Sequence, residues 1–504
     1  MPSRSVKIVA ALMLATLVAV ACGNRADEAL VIEAREAALA AQSGGQGGPA
    51  APGAPAAPGA PAAPGAPVDP GNPAAPGDPA APAPGATGAP APGEAPTGGG
   101  GGGGGETPVE TRFAPPEGNG GATDVGVTET EILLGNVADI TGAVAGLFAD
   151  VQKAAQAYEL YFASTEGTIW GRQVKVQLYD TQLTRNGNFN AYTEMCNSVF
   201  MGAVSMSAFD EGSEEPIRSC EGGFPDLKTA AVNPAIVPLP TVFSSDAFGT
   251  NAETPLTEWE YYKAQHPEAV KSAGYIFVDN NTTRAQTGFV VKATEEIGYS
   301  WPVWAPVDLA AISYKTEIRD MKNEGVRLVT FQGAYQQAAK LAREMVEEGL
   351  IPDVYALQMN VYDPRLIAEG GQNLETINTN VQLLSQMVEE VGGSPELQTY
   401  REWLKFIDPS AEPTGLGMYA WSGMKLIIQL LKDIGPNLTR DKMVEALRGV
   451  EGWTGGGIVP PQDIGPKKPS PCTTILKIQG GQFVRLHPAE PNTFDCTGQI
   501  VSGR

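Results

Sequence analysis

The chain has 504 residues, with 57 acidic and 34 basic side chains, so its net charge is −23 at pH 7. This negative balance argues against a nucleic-acid partner, because phosphate recognition needs a basic surface. Length alone would allow two to four domains. Residues 44–105, however, consist almost entirely of Ala, Pro and Gly, a composition that cannot bury a core.

The first 21 residues have the pattern of an export signal. Arg4 and Lys7 precede the apolar run 8–20, which is too short to cross roughly 30 Å of hydrocarbon as a helix. Residues 19–22, Ala-Val-Ala-Cys, resemble the bacterial lipobox. The resemblance implies that Cys22 is lipidated and becomes the mature N-terminus. The alternative is an ordinary signal peptide followed by an ordinary cysteine.

The anchored segment 22–43 is followed by a predicted linker over residues 44–125. Glycines recur every six residues in units such as Ala-Pro-Ala-Ala-Pro-Gly, whereas collagen would need glycine at every third position. Such a stretch has too few apolar side chains to offset the entropy of ordering it, so we expect disorder. About 60 residues of polyproline-like chain would reach about 190 Å, which suits a body held away from a membrane.

Four further cysteines lie in the C-terminal part of the chain. They form two neighbouring pairs, each separated by 24 residues: Cys196, Cys220, Cys472 and Cys496. An even set in an exported protein predicts two disulfides. Three connectivities are possible, of which we favour Cys196–Cys220 and Cys472–Cys496. A zinc site is disfavoured, because Cys-x-x-Cys spacing is absent and His266 and His487 are the only histidines.

Strand-like and helical patterns alternate from residue 131 onward. The first series has strands at 132–138, 173–179 and 203–206, and helices at 146–164, 191–200 and 213–220. The second has strands at 273–279, 303–309, 327–331 and 354–358, and helices at 254–265, 284–297, 315–323 and 335–348. This alternation predicts an α/β protein with parallel sheets wrapped by helices.

A further strand, three helices and a hairpin complete the chain. They are predicted at 381–386, at 395–406, 417–434 and 439–448, and at 473–478 with 482–486. The doubled series predicts two lobes within residues 126–504. Lobe 1 would take about 126–247 and 388–452, and lobe 2 about 253–387 and 456–504. The chain would cross between them near 247–253, 387–393 and 452–458.

Ligand sites of open α/β sheets lie at the carboxyl ends of the strands. In this chain those ends carry hydroxyl and aromatic side chains, and no combination of residues typical of a catalytic site. A Gly-x-Ser-x-Gly elbow, a phosphate loop and a His-Glu-x-x-His motif are all absent from the sequence. Two histidines leave little for general-base catalysis, although carboxylates could serve. The pattern therefore favours ligand binding over catalysis.

The body resembles the type I periplasmic-binding-protein family, in its branched-chain amino acid and amide branch, over roughly residues 131–486. The matching features are Thr141-Gly142, Ala145, the following helix to Phe162, Gly171-Arg172, Asp180 and Tyr419-Ala420. The chain differs at Asp139-Ile140, where the family has Pro-Leu, and at Val204-Ser205-Met206, where it has Val-Gly-Pro. The resemblance implies a two-lobed fold that closes over a small ligand.

The resemblance also implies a ligand site. Hydroxyls and backbone N–H groups would hold a carboxylate, an acidic side chain would hold an ammonium group, and aromatic rings would form the walls. The implied ligand-binding residues are Thr141, Phe148, Ser207, Phe209, Ser244, Ser245, Thr282, Arg284, Tyr335 and Asp363.

Several of these residues have structural alternatives. Asp363 precedes a proline and could simply begin a helix, and Ser207 could bond within a local turn. Phe209 could be core packing, and Arg284 could form a surface ion pair or bind an acidic group of the ligand.

The implied function is that of an extracytoplasmic, lipid-anchored solute-binding protein of an ABC-type importer. It would deliver an amino acid, amide or small carboxylate to a membrane permease, act as a monomer, and use no cofactor or metal. A ligand-sensing receptor component with a separate signalling partner is the first alternative. A hydrolase is the second.

Overall fold

The computed structural model describes residues 118–231, 233–246 and 253–502. The predicted signal peptide, Cys22, the anchored segment, the linker up to residue 117 and most of the predicted crossing at 247–253 lie outside these ranges. Two large sheets organise the described part of the chain. Each sheet, with the helices packed on it, is called a lobe below.

Lobe 1 contains a five-stranded sheet in which every pairing is parallel. Its strands are β1 (Glu131–Ala138), β2 (Gln173–Asp180), β3 (Met201–Ala203), β4 (Asp226–Ala230) and β5 (Val242–Asp246). Their spatial order is β2-β1-β3-β4-β5. Three helices lie between the first four strands, as parallel pairing requires: α1 (Ala149–Thr165), α2 (Arg185–Ser198) and α3 (Glu214–Ser219).

Lobe 2 contains a seven-stranded sheet with a parallel centre and an antiparallel edge. In chain order, β6 (Glu253–Pro255) is followed by β7 (Ala273–Val278), β8 (Val303–Val307), β9 (Leu328–Gln332), β10 (Val354–Leu357), β11 (Thr379–Leu383), β12 (Thr474–Gln479), β13 (Gln482–His487) and β14 (Ile500–Ser502). The sheet order is β13-β12-β11-β10-β9-β7-β8, and β6 pairs separately with β14. The predicted hairpin is β12–β13, with positive φ at both Gly480 and Gly481, as a type I′ turn requires.

Helices cover both faces of the lobe 2 sheet. They are α4 (Thr257–Gln265), α5 (Asn281–Glu295), α6 (Lys315–Asn323), α7 (Tyr335–Glu347), α8 (Pro364–Gly370) and α9 (Gln372–Thr376). Every residue of β7, which lies between β9 and the edge strand β8, is buried. This explains its unbroken apolar sequence, because a strand covered on both faces has no solvent side.

Three later helices return to lobe 1: α10 (Pro395–Ile407), α11 (Gly415–Ile434) and α12 (Arg440–Arg448). Trp421 of α11 packs edge-to-face on Tyr158 of α1, with ring centroids 4.6 Å apart. Trp403 of α10 contacts Tyr161 at 5.5 Å. Lobe 1 is therefore completed by chain that follows most of lobe 2. None of the helices in the described part of the chain is long and apolar enough to cross a membrane.

The structure joins Cys196 to Cys220 and Cys472 to Cys496 through disulfides. The first connects the end of α2 to the residue after α3, and the second ties the C-terminal segment to the start of β12. Residues 118–125, which the sequence assigns to the end of the linker, contact lobe 1. Asn119 and Gly121 accept hydrogen bonds from the buried Arg172 through their carbonyl oxygens.

Two strands of lobe 1, β4 and β5, were not predicted, and the predicted strand at 203–206 lies earlier, at β3. Strand β4 was not predicted because it contains two charged residues, Asp226 and Lys228, although all five of its residues are buried. Lys228 pairs with Asp210 at 2.9 Å and with Asp226 at 3.1 Å, and all three are at most 2% exposed. Burial raises the pKa of Asp210 to about 6, although Lys228 opposes this shift. The buried charges are tolerated because Lys228 pairs with both carboxylates and Tyr192 donates a further hydrogen bond to Asp226 at 2.9 Å.

We expect Lys228→Met to destabilise the protein strongly. Removing one partner of a buried ion pair leaves the other charges uncompensated and costs about 3–5 kcal/mol, measured as the free energy of unfolding by chemical denaturation. Lys271→Met is the matched control, since it removes an exposed pair with Glu268 and should change stability little. Equal losses in the two variants would contradict a structural role for the buried cluster.

Candidate ligand-binding site

A cavity lies between the two lobes, lined by residues of both. Its volume is about 20 Å³. That is about the room that one ordered water needs. The lining residues are Leu147, Phe148, Asp150, Val151, Ala334, Tyr335, Asn360, Asp363, Arg365, Thr414 and Leu416.

The N-terminal ends of several helices meet at this cavity. Phe148 is the N-cap of α1, Ala334 of α7, Asp363 of α8 and Thr414 of α11. Three of these helices follow β1, β9 and β10, whose carboxyl ends lie toward the cleft. Helix N-termini carry unpaired N–H groups and partial positive charge. Parallel strand order therefore brings polar backbone to the cleft.

Arg365 occupies the centre of the charged contacts. Its Nε donates to Asp363 Oδ2 at 2.9 Å, and its guanidinium lies over the ring of Tyr335 at 4.7 Å. Its Nη2 also donates to Asp150 Oδ2 at 2.7 Å. Asp150 belongs to α1 of lobe 1, whereas the other three residues belong to lobe 2, so this ion pair bridges the two lobes.

Asp150 is held in a setting that penalises its charge. Burial raises the pKa of its carboxyl group, although the charge of Arg365 opposes this shift. A second direct contact between the lobes lies elsewhere along the cleft, where Asn233 Nδ2 donates to Thr282 Oγ1 at 2.8 Å. Both residues of that contact are buried.

Three of the sequence-predicted residues line the cavity: Phe148, Tyr335 and Asp363. Asp363 is also the N-cap of α8, since its carboxylate accepts a hydrogen bond from the Arg365 N–H at 2.7 Å. A role as helix cap is therefore compatible with a place in the cavity wall. Thr282 lies at the other contact between the lobes. The remaining six predicted residues do not line the cavity.

The predicted hydroxyl groups of lobe 1 bond within the protein. Ser207 Oγ donates to Asp139 Oδ1 at 2.9 Å, and Thr141 Oγ1 donates to Asp180 Oδ2 at 2.6 Å. The next two are bonded to backbone groups of the same lobe. Ser244 Oγ accepts from the Ala231 N–H at 2.7 Å, and Ser245 Oγ donates to the Thr229 carbonyl at 3.1 Å.

The last two predicted residues lie apart from the cavity. Phe209 is partly buried beside Ser207, and its carbonyl accepts a hydrogen bond from Asn188 at 2.9 Å. Arg284 forms an exposed ion pair with Asp279, with Nη2 at 2.7 Å from Oδ2. This contact is the surface pair that the sequence left open as an alternative for Arg284.

Sequence reasoning missed Asp150 and Arg365, whose ion pair bridges the lobes at the cavity. Each lies two positions after a predicted site residue, Phe148 and Asp363 respectively. This closeness in the sequence is the only feature that could have pointed to Asp150 and Arg365 as site residues. It could not show that the two side chains meet, because they are 215 residues apart in the chain.

Comparison with known proteins agrees with this architecture. The sequence profile of the periplasmic binding protein family matches residues 131–482, which is 352 of the 504 residues. The chain therefore belongs to the periplasmic-binding-protein family, and its two-lobed α/β architecture is the type I fold of that family. No curated protein sequence matches the chain.

Several solved structures share the fold at low sequence identity. A fatty acid ABC transporter substrate-binding protein from Thermomonospora curvata is 18% identical, with a TM-score of 0.61, covering 74% of this chain and 98% of its own. A leucine-binding protein from Thermotoga maritima is 14% identical, with a TM-score of 0.59 and coverages of 70% and 97%. A solute-binding protein from R. palustris, in complex with 4-hydroxybenzoate, is 14% identical, with a TM-score of 0.59 and coverages of 71% and 95%.

We expect Asp150→Asn to open the ligand-free protein, because it removes the charge that Arg365 meets across the cleft. X-ray scattering should show a larger radius of gyration than in the wild type, and added salt should reduce the difference by screening the wild-type pair. Asp353→Asn is the control, since it breaks an ion pair with Arg327 inside lobe 2. Expansion of both variants alike would argue against a specific role for the Asp150–Arg365 pair.

Proposed function

We propose that the protein is an extracytoplasmic solute-binding component of an ABC-type importer. It captures a small polar ligand between its two lobes and delivers it, chemically unchanged, to a membrane permease. The observation that carries this proposal is the cavity between the lobes, where two aromatic rings, an amide and three charged side chains converge in a chain of the periplasmic-binding-protein family. In our proposal the protein acts as a monomer without a cofactor.

The structural neighbours support a transport role through their own names. One is a fatty acid ABC transporter substrate-binding protein, one binds leucine, and one was solved with 4-hydroxybenzoate. We therefore propose an amino acid, an amide or a small carboxylate as the ligand class. No specific contact among the described residues favours a receptor or a hydrolase.

Phe148, Tyr335 and Asp363 are the proposed ligand contacts with direct support, because they line the cavity. We add Arg365 and Asn360, which line the same space from lobe 2. Thr282 is proposed to contact the ligand or to close with it, since it already meets Asn233 of lobe 1. The predicted lobe boundaries and the three crossings remain part of the proposal.

Ligand binding should stabilise and compact the protein. A thermal-shift panel of amino acids, amides and small carboxylates should identify a ligand. At a hundredfold excess over Kd, that ligand should raise the free energy of unfolding by about 2.7 kcal/mol, and scattering should show that it compacts Asp150→Asn.

Tyr335→Ala should weaken ligand binding about tenfold, or about 1.4 kcal/mol, because it removes an aromatic side chain from the wall of the cavity. Phe406→Ala, which changes a partly exposed ring outside the cavity, is the control. Recovery of a chemically altered ligand would contradict the proposal.

We also propose that residues 1–21 are a signal peptide, that Cys22 is lipidated, and that the Ala/Pro/Gly-rich linker holds the body away from the membrane. Wild-type protein should fractionate with membranes and incorporate a palmitate analogue. Cys22→Ala should fractionate with the soluble extracytoplasmic proteins, because it lacks the acyl anchor. A Cys22→Ala protein that stays membrane-bound would contradict this part of the proposal.

A further inference from the structure

A group of buried oxygen atoms in lobe 2 has no hydrogen-bond partner among the described residues. The atoms are Oε1 of Glu258, the phenolic oxygen of Tyr262, Oε1 of Gln358, Oδ1 of Asn380 and Oε1 of Gln382. Each of these five residues is at most 6% exposed. Buried polar atoms are nearly always hydrogen-bonded, so unpartnered oxygens that gather in one part of a lobe need a physical explanation.

Strand register places three of these residues on one face of the lobe 2 sheet. Strands β10 and β11 pair in parallel, with Ala356 beside Asn380. Gln358 follows β10 directly and keeps an extended backbone, with φ −87° and ψ 164°. Because side chains alternate between the faces of a strand, Gln358, Asn380 and Gln382 point to the same side. The register also brings Gln358 next to Gln382.

Helix α4 covers this face and supplies the other two residues. Glu258 and Tyr262 lie four positions apart on α4, so they share one side of the helix. Gln358 Nε2 donates to Glu258 Oε2 at 3.2 Å. Burial raises the pKa of Tyr262 well above its usual value, and the nearby Asn380 side chain opposes this shift. Both helix residues therefore meet amide side chains of the sheet.

The carboxyl group of Glu258 lacks a positive partner. Burial raises its pKa to about 8, the hydrogen bond from Gln358 opposes this shift, and no cationic side chain of the described residues contributes. Further ionisable groups on this side of the sheet come from α4, β7, the segment before β8, β12 and β13: Tyr262, Tyr275, Tyr299, Lys477 and His487. Of these, His487 is already paired with Asp495 at 2.6 Å.

We propose that Glu258, Tyr262, Gln358, Asn380 and Gln382 form a binding site for a monovalent alkali-metal cation inside lobe 2. Carboxylate, amide and hydroxyl oxygens are the ligands that hard cations prefer. One carboxylate among neutral oxygens balances a single positive charge, and a bound cation would offset the cost of burying that carboxylate. None of the five residues lines the cavity between the lobes, so the inference does not depend on the proposed ligand.

The first test uses the metal ions alone. Thermal unfolding of the wild type is followed in NaCl, KCl and choline chloride at equal ionic strength and at about pH 9, where Glu258 is ionised. NaCl or KCl should raise the melting temperature above its value in choline chloride, because a ligand of the native state stabilises that state. Equal melting temperatures in the three salts at every concentration would overturn the inference.

The second test removes the charge of the site. Glu258→Gln keeps the shape of the side chain and should weaken cation binding at least about tenfold, so its melting temperature should depend little on which chloride salt is present. Glu344→Gln is the matched control, because it changes another buried carboxylate of lobe 2, one that accepts from the Tyr314 N–H at 2.6 Å. A Glu258→Gln protein with the full wild-type response would contradict the inference. Tyr262→Phe, which removes a single oxygen, provides the same comparison should Glu258→Gln not fold.

The third test follows the proton that the cation displaces. Only the ionised carboxylate binds a cation, so binding releases a proton, and the affinity should rise about tenfold for each pH unit up to about pH 8 and change little above it. A cation affinity that does not depend on pH would contradict the role of Glu258. Crystals soaked in thallium acetate should show an anomalous-scattering peak among the five oxygens, and thallium bound only at the protein surface would overturn the inference.

Discussion

Parallel strand pairing is the constraint from which the site follows. A strand that pairs in parallel with its neighbour must return through a crossover, here usually a helix, so strand carboxyl ends and helix N-termini gather at one edge of each sheet. These termini present N–H groups that need acceptors. In lobe 1 aspartates supply many of the acceptors, whereas at the cavity the helix starts of both lobes face one another across a narrow space. The location of the cavity is thus a property of the topology, and its chemistry depends on which side chains reach it.

The ion pair between Asp150 and Arg365 is suited to reversible closure because its two partners are not equally dependent on it. When the lobes separate, Arg365 keeps its contacts with Asp363 and Tyr335 on its own lobe. Asp150 instead returns to water, which relieves the burial that disfavours its charge. In neither arrangement would a buried charge be left unpaired. A ligand would shift the populations of the two arrangements by its difference in affinity for them.

Much of the fold could be predicted from the sequence because the signals were local. The helix at Lys315–Asn323 has the bounds that its pattern predicts, and Thr439 caps α12 by accepting from the Lys442 N–H at 3.3 Å. Strand β4 was missed because Lys228 looks like a surface residue until Asp210 and Asp226 are seen around it. The site divides in the same way. Phe148, Tyr335 and Asp363, which the family resemblance implies as ligand contacts, line the cavity. The hydrogen bond from Ser207 to Asp139 could not be predicted, because the two residues are 68 positions apart in the sequence and only folding brings them together.

The order of the chain through the two lobes has a consequence for how the protein is made. The sheet of lobe 2 gains its antiparallel edge only when β12 pairs with β11, about 90 residues after β11 has been synthesised. Lobe 1 in turn lacks α10, α11 and α12 until residues 395–448 are present. During translation neither half can therefore bury its full apolar surface until almost the entire polypeptide has left the ribosome. Apolar surface of both incomplete lobes therefore stays exposed while the intervening segments are made, and exposed apolar surface promotes aggregation.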